Sequence, residues 1–510
     1  MNDTVVHGLD EFWPLLQSRE KLGRPARIGR VDGRPLDTGL VEDWSGMLRA
    51  AGLGHGDRLL VLAEPDPATL AVFVAAWTLG VAVCPLPPET SAGVLTRIAA
   101  DCGARQAVSA LRAEWTRFDH PHLPDRPGSR LEFRTPRRVT GVDLALLIYT
   151  SGSTGNPKGI MLSHSNVLAA LRAIVAYLAL SADDVILSVP PLHFDYGLYQ
   201  ALFGLFTGCR VVLTPPSTNP MKALQYIRDV QPTVLPVVPA LGAGIAKLGL
   251  ALKQTHRSVR LITNTGGHLP APVIEDLRRV FPQAAVMPMY GLSESKRALY
   301  LVPELVDARP GSVGRPMPGL DAKVMVPDGI QTDGTPRTWR EAEPHEVGML
   351  FVRGASVMQG YTEGGVGAGA QLLGGAYRDD NWLLTGDLFS ADADGFLYFR
   401  GRAKELIKQG GFCLYPRDIE ALVERHPGVL ECVVVGVTTA NADEMACLFV
   451  HGREALTREG LLEWLGRQLD PHYLPRRIDI VDAWPMNQNG KIDRKALGRR
   501  IEAELAGTEG

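Results

Sequence analysis

The sequence predicts an α/β fold, with a large N-terminal domain of layered α/β subdomains plus a β-rich subdomain, and a small α+β C-terminal domain. Between residues 57 and 264, apolar strand-like runs alternate with helix-length segments, which is typical of parallel α/β layers. After about residue 345, short strand-like runs are joined by Gly and Asp turns. Residues 417–469 return to alternating helix-like and strand-like segments. We therefore predict two domains, 1–401 and 402–510.

Length and composition agree with this prediction. A chain of 510 residues is too long for one ordinary domain. With 45% hydrophobic residues and a net charge of −3, it can bury large cores, and it lacks the basic character of a nucleic-acid-binding domain. Its six cysteines show no metal-type spacing, so we expect reduced core thiols and a cytoplasmic location.

Two further segments have unusual compositions. Residues 68–86 are almost continuously apolar, but Gly80 and a proline cluster divide them. They predict a buried helix followed by a buried strand, and we expect neither a membrane span nor a signal peptide. The glycine-rich residues 364–375 predict a surface loop.

The stretch YTSGSTGNPKG, residues 149–159, indicates a phosphate-binding loop. Glycines let backbone N–H groups converge on an anion, hydroxyls add donors, and a lysine adds a positive charge. The spacing differs from the usual P-loop. An apolar strand-like run, 142–150, comes before the stretch, and a segment with helical spacing, 165–178, follows, with Ser163 or Ser165 as N-cap. We expect the loop to join these two elements.

YTSGSTGNPKG resembles the nucleotide loop of the adenylate-forming superfamily, whose members include acyl-CoA synthetases, luciferases and adenylation domains that charge carrier proteins. Other motifs follow in the family's order over residues 40–500: NTGGHLP (264–270), MYGLSES (289–295), TGDL (385–388), GRAK (401–404) and NQNGKIDRKAL (487–497). The resemblance implies an enzyme that uses ATP and Mg²⁺. It also implies a C-terminal domain that is mobile and changes orientation between two half-reactions.

The resemblance assigns roles to individual residues. Tyr290 would stack on adenine, Ser293 would meet phosphate, Glu294 would bind Mg²⁺, and Asp387 with Arg402 would bind the ribose. Lys491 would bridge the substrate carboxylate and the α-phosphate, Lys404 would be the hinge, and Lys408 would lie near the thioester-forming site. The remaining ATP-binding residues lie in the nucleotide loop and the adenine-side loop: Thr150, Ser151, Gly152, Ser153, Thr154, Gly155, Lys158, Gly266 and Gly267.

The acid substrate is expected near residues 190–200. Phe194 and Asp195 match a pair that binds the substrate ammonium in amino-acid-activating relatives, although Asp195 could equally cap a helix. Arg297 could bind a second carboxylate or a polar group of the substrate, pair with Asp195, or face solvent. Tyr196, Tyr199, Thr265 and Met289 complete the candidate pocket.

These residues predict ATP-dependent formation of an acyl-adenylate with release of pyrophosphate, followed by transfer to CoA or to the phosphopantetheine of a separate carrier protein. The stretches FDYGLYQ (194–200) and YGLSESKRALYLVPE (290–304) also resemble a bacterial branch of acyl-CoA ligases found with exosortase loci, which favours acyl substrates. Two alternatives stay open. One is a stand-alone ligase that loads an amino acid, held by Asp195, onto a carrier protein. The other is a non-catalytic regulator that binds an adenylate.

Overall fold

The computed structural model describes residues 6, 8–22, 26–31, 33, 35–112, 114–118, 138–151, 157–215, 218–330, 336–362, 372–373, 382–410, 412–438, 444–453, 456–486 and 492–507. Within these residues the helices are α1 (Phe12–Lys21), α2 (Thr38–Ala50), α3 (Pro67–Thr78), α4 (Ala92–Cys102), α5 (His164–Tyr177), α6 (Asp195–Thr207), α7 (Pro220–Val230), α8 (Pro239–Ala251), α9 (Ala271–Val280), α10 (Pro416–Val423), α11 (Arg458–Gly466) and α12 (Arg494–Gly507).

The described strands are β1 (Ile28–Arg30), β2 (Arg58–Leu62), β3 (Ala82–Leu86), β4 (Gln106–Ser109), β5 (Glu114–Arg117), β6 (Leu144–Ser151), β7 (Pro157–Ser163), β8 (Val185–Ser188), β9 (Arg210–Leu213), β10 (Val234–Val237), β11 (Leu261–Asn264), β12 (Ala285–Leu292), β13 (Lys296–Tyr300), β14 (Ser312–Pro316), β15 (Leu320–Ile330), β16 (Pro336–Glu341), β17 (Gly348–Gly354), β18 (Gly360–Tyr361), β19 (Leu372–Leu373), β20 (Trp382–Ala391), β21 (Leu397–Arg402), β22 (Ile407–Gln409), β23 (Phe412–Leu414), β24 (Val429–Thr438), β25 (Glu444–Gly452) and β26 (Arg477–Ile480).

The largest sheet of the described chain has the order β1-β9-β8-β10-β11-β12-β13-β14-β21-β20-β17-β15-β16, with β19 paired to β20. Its pairs from β1 to β12 are parallel, and those from β12 to β16 are antiparallel. The carboxyl ends of β8, β10, β11 and β12 therefore meet at one edge, where open α/β sheets usually bind ligands.

A second sheet has the order β18-β7-β6-β3-β2-β4-β5, with a parallel centre of β6, β3, β2 and β4. Helix α3 lies buried against it, and the Trp77 indole donates a hydrogen bond to the Ala145 carbonyl (2.9 Å). Asp66 caps the start of α3 by accepting a hydrogen bond from the Ala68 amide. The predicted buried helix and strand of residues 68–86 are thus α3 and β3, and no described helix is long and apolar enough to cross a membrane.

The C-terminal part forms smaller units. β22 and β23 make a hairpin, while β24, β25 and β26 form a three-stranded sheet packed against α10, α11 and α12. Its main core contains Val423, Val434, Leu448 and Leu461, which are fully or almost fully buried. Together these units confirm the predicted fold class of a large α/β N-terminal domain and a small α+β C-terminal domain. The exact division at residue 401 stays a prediction.

Two details differ from the sequence prediction. The phosphate-loop stretch does not run directly from strand to helix, because β7 returns antiparallel along β6 before α5 begins. Its residues Ile160 and Leu162 are buried, so this short apolar segment is stabilised as a strand by burial. The antiparallel region also begins earlier than residue 345, at β13, where buried Lys296 and Arg297 obscure the strand pattern in the sequence. The glycine-rich stretch, apart from residues 372–373, lies outside the described residues.

We predict that Ser163→Ala destabilises the protein by about 1 kcal/mol, because Ser163 caps α5. Its hydroxyl accepts from the Asn166 amide, and the Asn166 side chain accepts from the Ser163 amide, so the two form a capping box. Thermal or urea unfolding of the full chain measures the change. Ser45→Ala is the control, because this hydroxyl donates to the Val41 carbonyl inside α2. Equal stability of the two variants would contradict the capping role.

Candidate active site

The phosphate-loop stretch forms the end of the β6–β7 hairpin. In this hairpin Thr150 pairs with Lys158 and Ser151 pairs with Pro157, at the carboxyl end of β6. The described parts of β6 and β7 therefore meet at the sheet edge where ligands are expected. Gly152, Ser153, Thr154 and Gly155 lie outside the described residues, as do the side chains of Thr150, Ser151 and Lys158.

Residues 355–362, which we call the bridging segment, connect this hairpin to the Glu294 turn. The Met358 amide donates to the Glu294 carbonyl (2.7 Å), and the Thr362 amide donates to the Gly159 carbonyl (2.8 Å). The Tyr361 hydroxyl donates to Glu294 Oε1 (2.8 Å). The segment therefore holds a predicted metal-binding carboxylate beside the predicted phosphate loop.

Tyr290, Asp387 and Arg402 form a compact cluster between β12, β20 and β21. The Tyr290 hydroxyl donates to Asp387 Oδ2 (2.6 Å), and Arg402 Nε lies 3.5 Å from Asp387 Oδ1. Burial raises the pKa of Asp387, while the charge of Arg402 opposes that rise. Asp387 and Arg402 face each other across paired strands, so the sheet register brings the two predicted ribose contacts together.

The adenine-side loop follows β11 and meets the C-terminal part of the chain. Gly266 has φ +86°, a left-handed backbone conformation that glycine adopts at little cost. Gly267 packs against Pro239 so closely that an added Cβ would lie 3.0 Å from the Pro239 Cγ. His268 Nε2 lies 3.5 Å from Glu424 Oε2, which places this loop directly against the residue that ends α10.

Asp195, the first residue of α6, forms an ion pair with Lys296, whose Nζ lies 3.2 Å from Asp195 Oδ2. Phe194 is the N-cap of α6, and its side chain makes no capping hydrogen bond. Asp195 therefore pairs with Lys296, and the expected alternative of an Asp195–Arg297 pair is wrong.

The other pocket candidates are largely buried. The Tyr196 hydroxyl donates to the Thr263 carbonyl (2.8 Å), and the Tyr199 hydroxyl donates to the Val167 carbonyl (3.4 Å). Met289 Sδ accepts a hydrogen bond from Tyr177 (3.4 Å). Thr265 is also buried, at the exit of β11. These side chains form the packed wall of the region.

Ser293 and Glu294 lie in the turn between β12 and β13, so one hairpin carries Tyr290, Ser293, Glu294 and Arg297. Gly291 makes this hairpin possible, because an added Cβ would lie 2.2 Å from the Lys296 carbonyl oxygen.

The candidate residues of the C-terminal part are three lysines, Lys404, Lys408 and Lys491. Lys404 lies in a short 3₁₀ turn, Ala403–Glu405, directly after β21. Lys408 is exposed on β22, and its amide donates to Glu444 Oε2 (2.5 Å). Lys491 lies outside the described residues, between the paired residues Met486 and Ile492.

An ion network joins the segment after Lys491 to the adenine-side loop. Arg494 Nη2 lies 2.7 Å from Glu420 Oε1, and Arg417 lies 3.5 Å from Glu420 and 2.7 Å from Glu424. Burial raises the pKa of Glu424, but His268 and Arg417 outweigh this effect and lower it to about 2. The network connects both predicted domains through His268.

Sequence reasoning missed Lys296, Tyr361, His268 and Glu424. The signals for Lys296 and Tyr361 were weak but present. Lys296 directly follows the MYGLSES motif, and Tyr361 lies in a short GYT segment after an apolar strand. For His268 and Glu424 no local signal exists, because the contact joins two motifs that are far apart in the chain.

Comparisons with known proteins agree with this arrangement. A family model described as AMP-binding enzyme matches residues 40–362, and one described as AMP-binding enzyme C-terminal domain matches residues 418–491. An L-proline–[L-prolyl-carrier protein] ligase from Pseudomonas fluorescens is 28% identical over 484 residues, 91% of this chain and 93% of that protein.

Two further relatives are similar in sequence or structure. A long-chain-fatty-acid–CoA ligase from Bacillus subtilis is 30% identical over 361 residues, which cover 70% of this chain and 61% of that ligase. This chain therefore matches less than two thirds of that ligase's length. The crystal structure of ATP-bound MatB from Rhodopseudomonas palustris has a TM-score of 0.79 and 25% identity, covering 98% of this chain and 100% of that chain. On these matches, the chain belongs to the AMP-binding enzyme family.

Proposed function

We propose that the protein activates a carboxylic acid with ATP, releasing pyrophosphate, and then transfers the acyl group from the adenylate to the thiol of CoA. One observation carries this proposal. The bridging segment binds the phosphate-loop hairpin on one side and Glu294 on the other, next to the Tyr290–Asp387–Arg402 cluster. Together these groups offer an aromatic ring, ribose-binding polar groups and a phosphate site, which are the features that ATP requires.

Mg²⁺ fits this site as part of the Mg–ATP substrate. Within the described residues no group of three His, Cys, Asp or Glu side chains could hold a metal alone. Mg²⁺ typically uses one or two carboxylates together with substrate phosphates and waters. Glu294 supplies such a carboxylate, and the Tyr361 hydroxyl orients it.

Charge neutralisation and positioning are the main tasks in the proposed reaction, because a carboxylate must attack a polyphosphate anion. We assign Lys158, Thr150 and the backbone of Ser151–Gly155 to the departing phosphates. Ser293 joins them, Gly266 and Gly267 allow close approach of adenine, and Lys491 holds the attacking carboxylate. The attacking oxygen bonds to the α-phosphorus as the bond to pyrophosphate breaks.

The second half-reaction needs a different set of groups near the adenylate. We propose that the part after residue 401 rotates about Lys404, which lies in the turn directly after β21. This rotation withdraws Lys491 and brings Lys408 towards the thioester-forming site. Such domain motions set the turnover rate of many enzymes. The His268–Glu424 contact is present in the described orientation and would be broken in the other one.

The acid is more consistent with an acyl substrate than with an amino acid. Lys296 already neutralises Asp195, so a substrate ammonium would have to displace a buried lysine. Relatives are named for CoA ligases and for a carrier-protein ligase, which supports either acceptor. We favour CoA, with a separate pantetheinylated carrier protein as the alternative.

We expect the two half-reactions to respond oppositely to substitution. Lys491→Ala should abolish pyrophosphate release with a panel of acids but leave thiolysis of a supplied acyl-adenylate by CoA largely intact. Lys404→Pro should do the reverse. The two assays, run with CoA and with a pantetheinylated carrier protein, also identify the acceptor. Equal loss in both half-reactions would contradict domain rotation, and a wild-type protein that releases no pyrophosphate with any acid would support a non-catalytic regulator.

We predict that Glu294→Gln lowers pyrophosphate release about 100-fold or more, because the variant loses the charge that binds Mg²⁺. Tyr361→Phe should instead raise the Mg²⁺ concentration needed for half-maximal rate by about 10-fold, because it removes a hydrogen bond that orients the carboxylate. Tyr398→Phe is the control, since its hydroxyl bonds to Asp392 outside the candidate site. An unchanged Mg²⁺ dependence in Tyr361→Phe would refute the orienting role.

The ion pairs of Glu424 with His268 and Arg417 predict that the stability of the protein depends on pH. The folded-state pKa of Glu424, about 2, lies below the usual value, so its stabilisation is fully present above about pH 5 and is lost as pH falls towards 2. Glu424→Gln should therefore be less stable than wild type by the same amount at pH 7 and at pH 5, and the difference should shrink only as the pH falls below about 5. Thermal unfolding between pH 7 and pH 3 measures this difference. Glu463→Gln, at an exposed pair with Arg467, is the control and should show almost no difference at either pH.

A further inference from the structure

Two neighbouring cations, Lys296 and Arg297, are buried beside α6. Each side chain belongs to a residue that is only 5% exposed. Lys and Arg are almost never buried to this extent unless they are paired. Lys296 meets this requirement through its ion pair with Asp195 (3.2 Å). Its Nζ also lies 4.8 Å from the centre of the Tyr199 ring.

Arg297 does not meet this requirement. Neither Nη1 nor Nη2 has a hydrogen-bond partner of good geometry among the described residues, and no described carboxylate forms an ion pair with Arg297. Its polar neighbour is the neutral Tyr177 hydroxyl, whose pKa is raised by burial, while the charge of Arg297 opposes that rise. Its guanidinium carbon lies 5.1 Å from the centre of the Tyr196 ring and 5.5 Å from that of Phe203. Aromatic faces stabilise a desolvated cation by less than the burial of an ion costs, so these rings do not offset the burial of Arg297.

The polar groups around this guanidinium are already engaged. The Tyr196 hydroxyl bonds to Thr263, and the Tyr177 hydroxyl bonds to Met289 Sδ. The Tyr177 ring is also stacked on Tyr300, with centres 4.1 Å apart. The Lys296–Asp195 pair cancels its own charge, and Glu294, the other carboxylate that acts on Lys296, is bonded to Tyr361, so no described carboxylate pairs with Arg297. An anion from outside the chain would balance its charge.

The backbone connects this charge to the proposed reaction site. Lys296 has φ +66°, a left-handed conformation that is uncommon for a residue with a long side chain. Such strain persists where the surrounding structure enforces it and is often found at functional sites. Glu294 and Arg297 are three residues apart in one hairpin, so their Cα atoms are at most about 11 Å apart.

We propose that Arg297 binds a second carboxylate of the substrate, so that the enzyme activates one end of a short dicarboxylic acid. This inference rests on the proposed function, since it identifies the acid used in that reaction. A guanidinium binds a carboxylate through two parallel hydrogen bonds, which would satisfy the free Nη1 and Nη2 together. The second carboxylate is bound but not changed, and the first one attacks the α-phosphorus.

The test compares acids of equal carbon number, namely succinate with butyrate and adipate with hexanoate, in a pyrophosphate-release assay. Wild type should prefer the diacids about 100-fold or more in kcat/KM. When a monoacid binds, the Arg297 guanidinium stays buried without a carboxylate partner. Arg297→Met should lose about 100-fold with the diacids and keep or raise its activity with the monoacids. Arg297→Lys keeps the positive charge but loses the two parallel hydrogen bonds of the guanidinium. Its kcat/KM with the diacids should therefore lie between that of wild type and that of Arg297→Met.

The control variant is Arg228→Met, which removes an exposed arginine of α7 and should leave every acid unaffected. Binding of ATP to each variant, measured by calorimetry, reports whether the nucleotide site is intact. A wild-type preference for monoacids or amino acids would overturn the inference while leaving the proposed function in place. This outcome is measured with the wild-type protein alone. Equal losses with both classes in Arg297→Met would also overturn it, by indicating a structural role. Failure of every acid with wild type would instead overturn the proposed function itself.

Discussion

The candidate site depends on the hydrogen bonds of the bridging segment to two separate sheets. Backbone groups buried at such a junction need partners, and here the partners are the Glu294 carbonyl, the Gly159 carbonyl and the Met161 carbonyl. The Asn166 side chain, which also belongs to the α5 capping box, donates to the carbonyls of Ala355 and Val357 (both 2.8 Å). The start of α5, the phosphate-loop hairpin and the Glu294 turn are therefore positioned as one unit.

The proposed nucleotide site and the proposed acid site differ in their charged side chains. Around the proposed nucleotide site, carboxylates such as Asp387 and Glu294 lie beside donors that hold them in place. Around the proposed acid site lie two buried cations, of which Lys296 pairs with Asp195 while no described carboxylate pairs with Arg297. A reaction between two anions would require cations at the proposed acid site. The ion network from Arg494 to His268 then links the C-terminal part to the adenine-side loop.

Much of this could be predicted from sequence, because the signals are local. Alternating apolar runs depend on neighbouring residues, so the α/β fold class and strands such as β2, β6 and β11 followed from pattern alone. Contiguous motifs likewise located the hairpin of Tyr290 and Glu294 and the strand pair of Asp387 and Arg402. The β7 strand was missed because burial, rather than a strong local preference, stabilises it.

The sequence by itself therefore determined the fold class, the family and the identity of the candidate nucleotide residues, since each depends on a short contiguous pattern. The tertiary structure alone decided which charges meet. It paired Asp195 with Lys296 rather than Arg297, joined Tyr361 to Glu294, and brought His268 to Glu424. An ion pair or hydrogen bond between distant residues depends on how strands and helices pack, and side-chain charge is balanced only after that packing places the partners within a few ångströms.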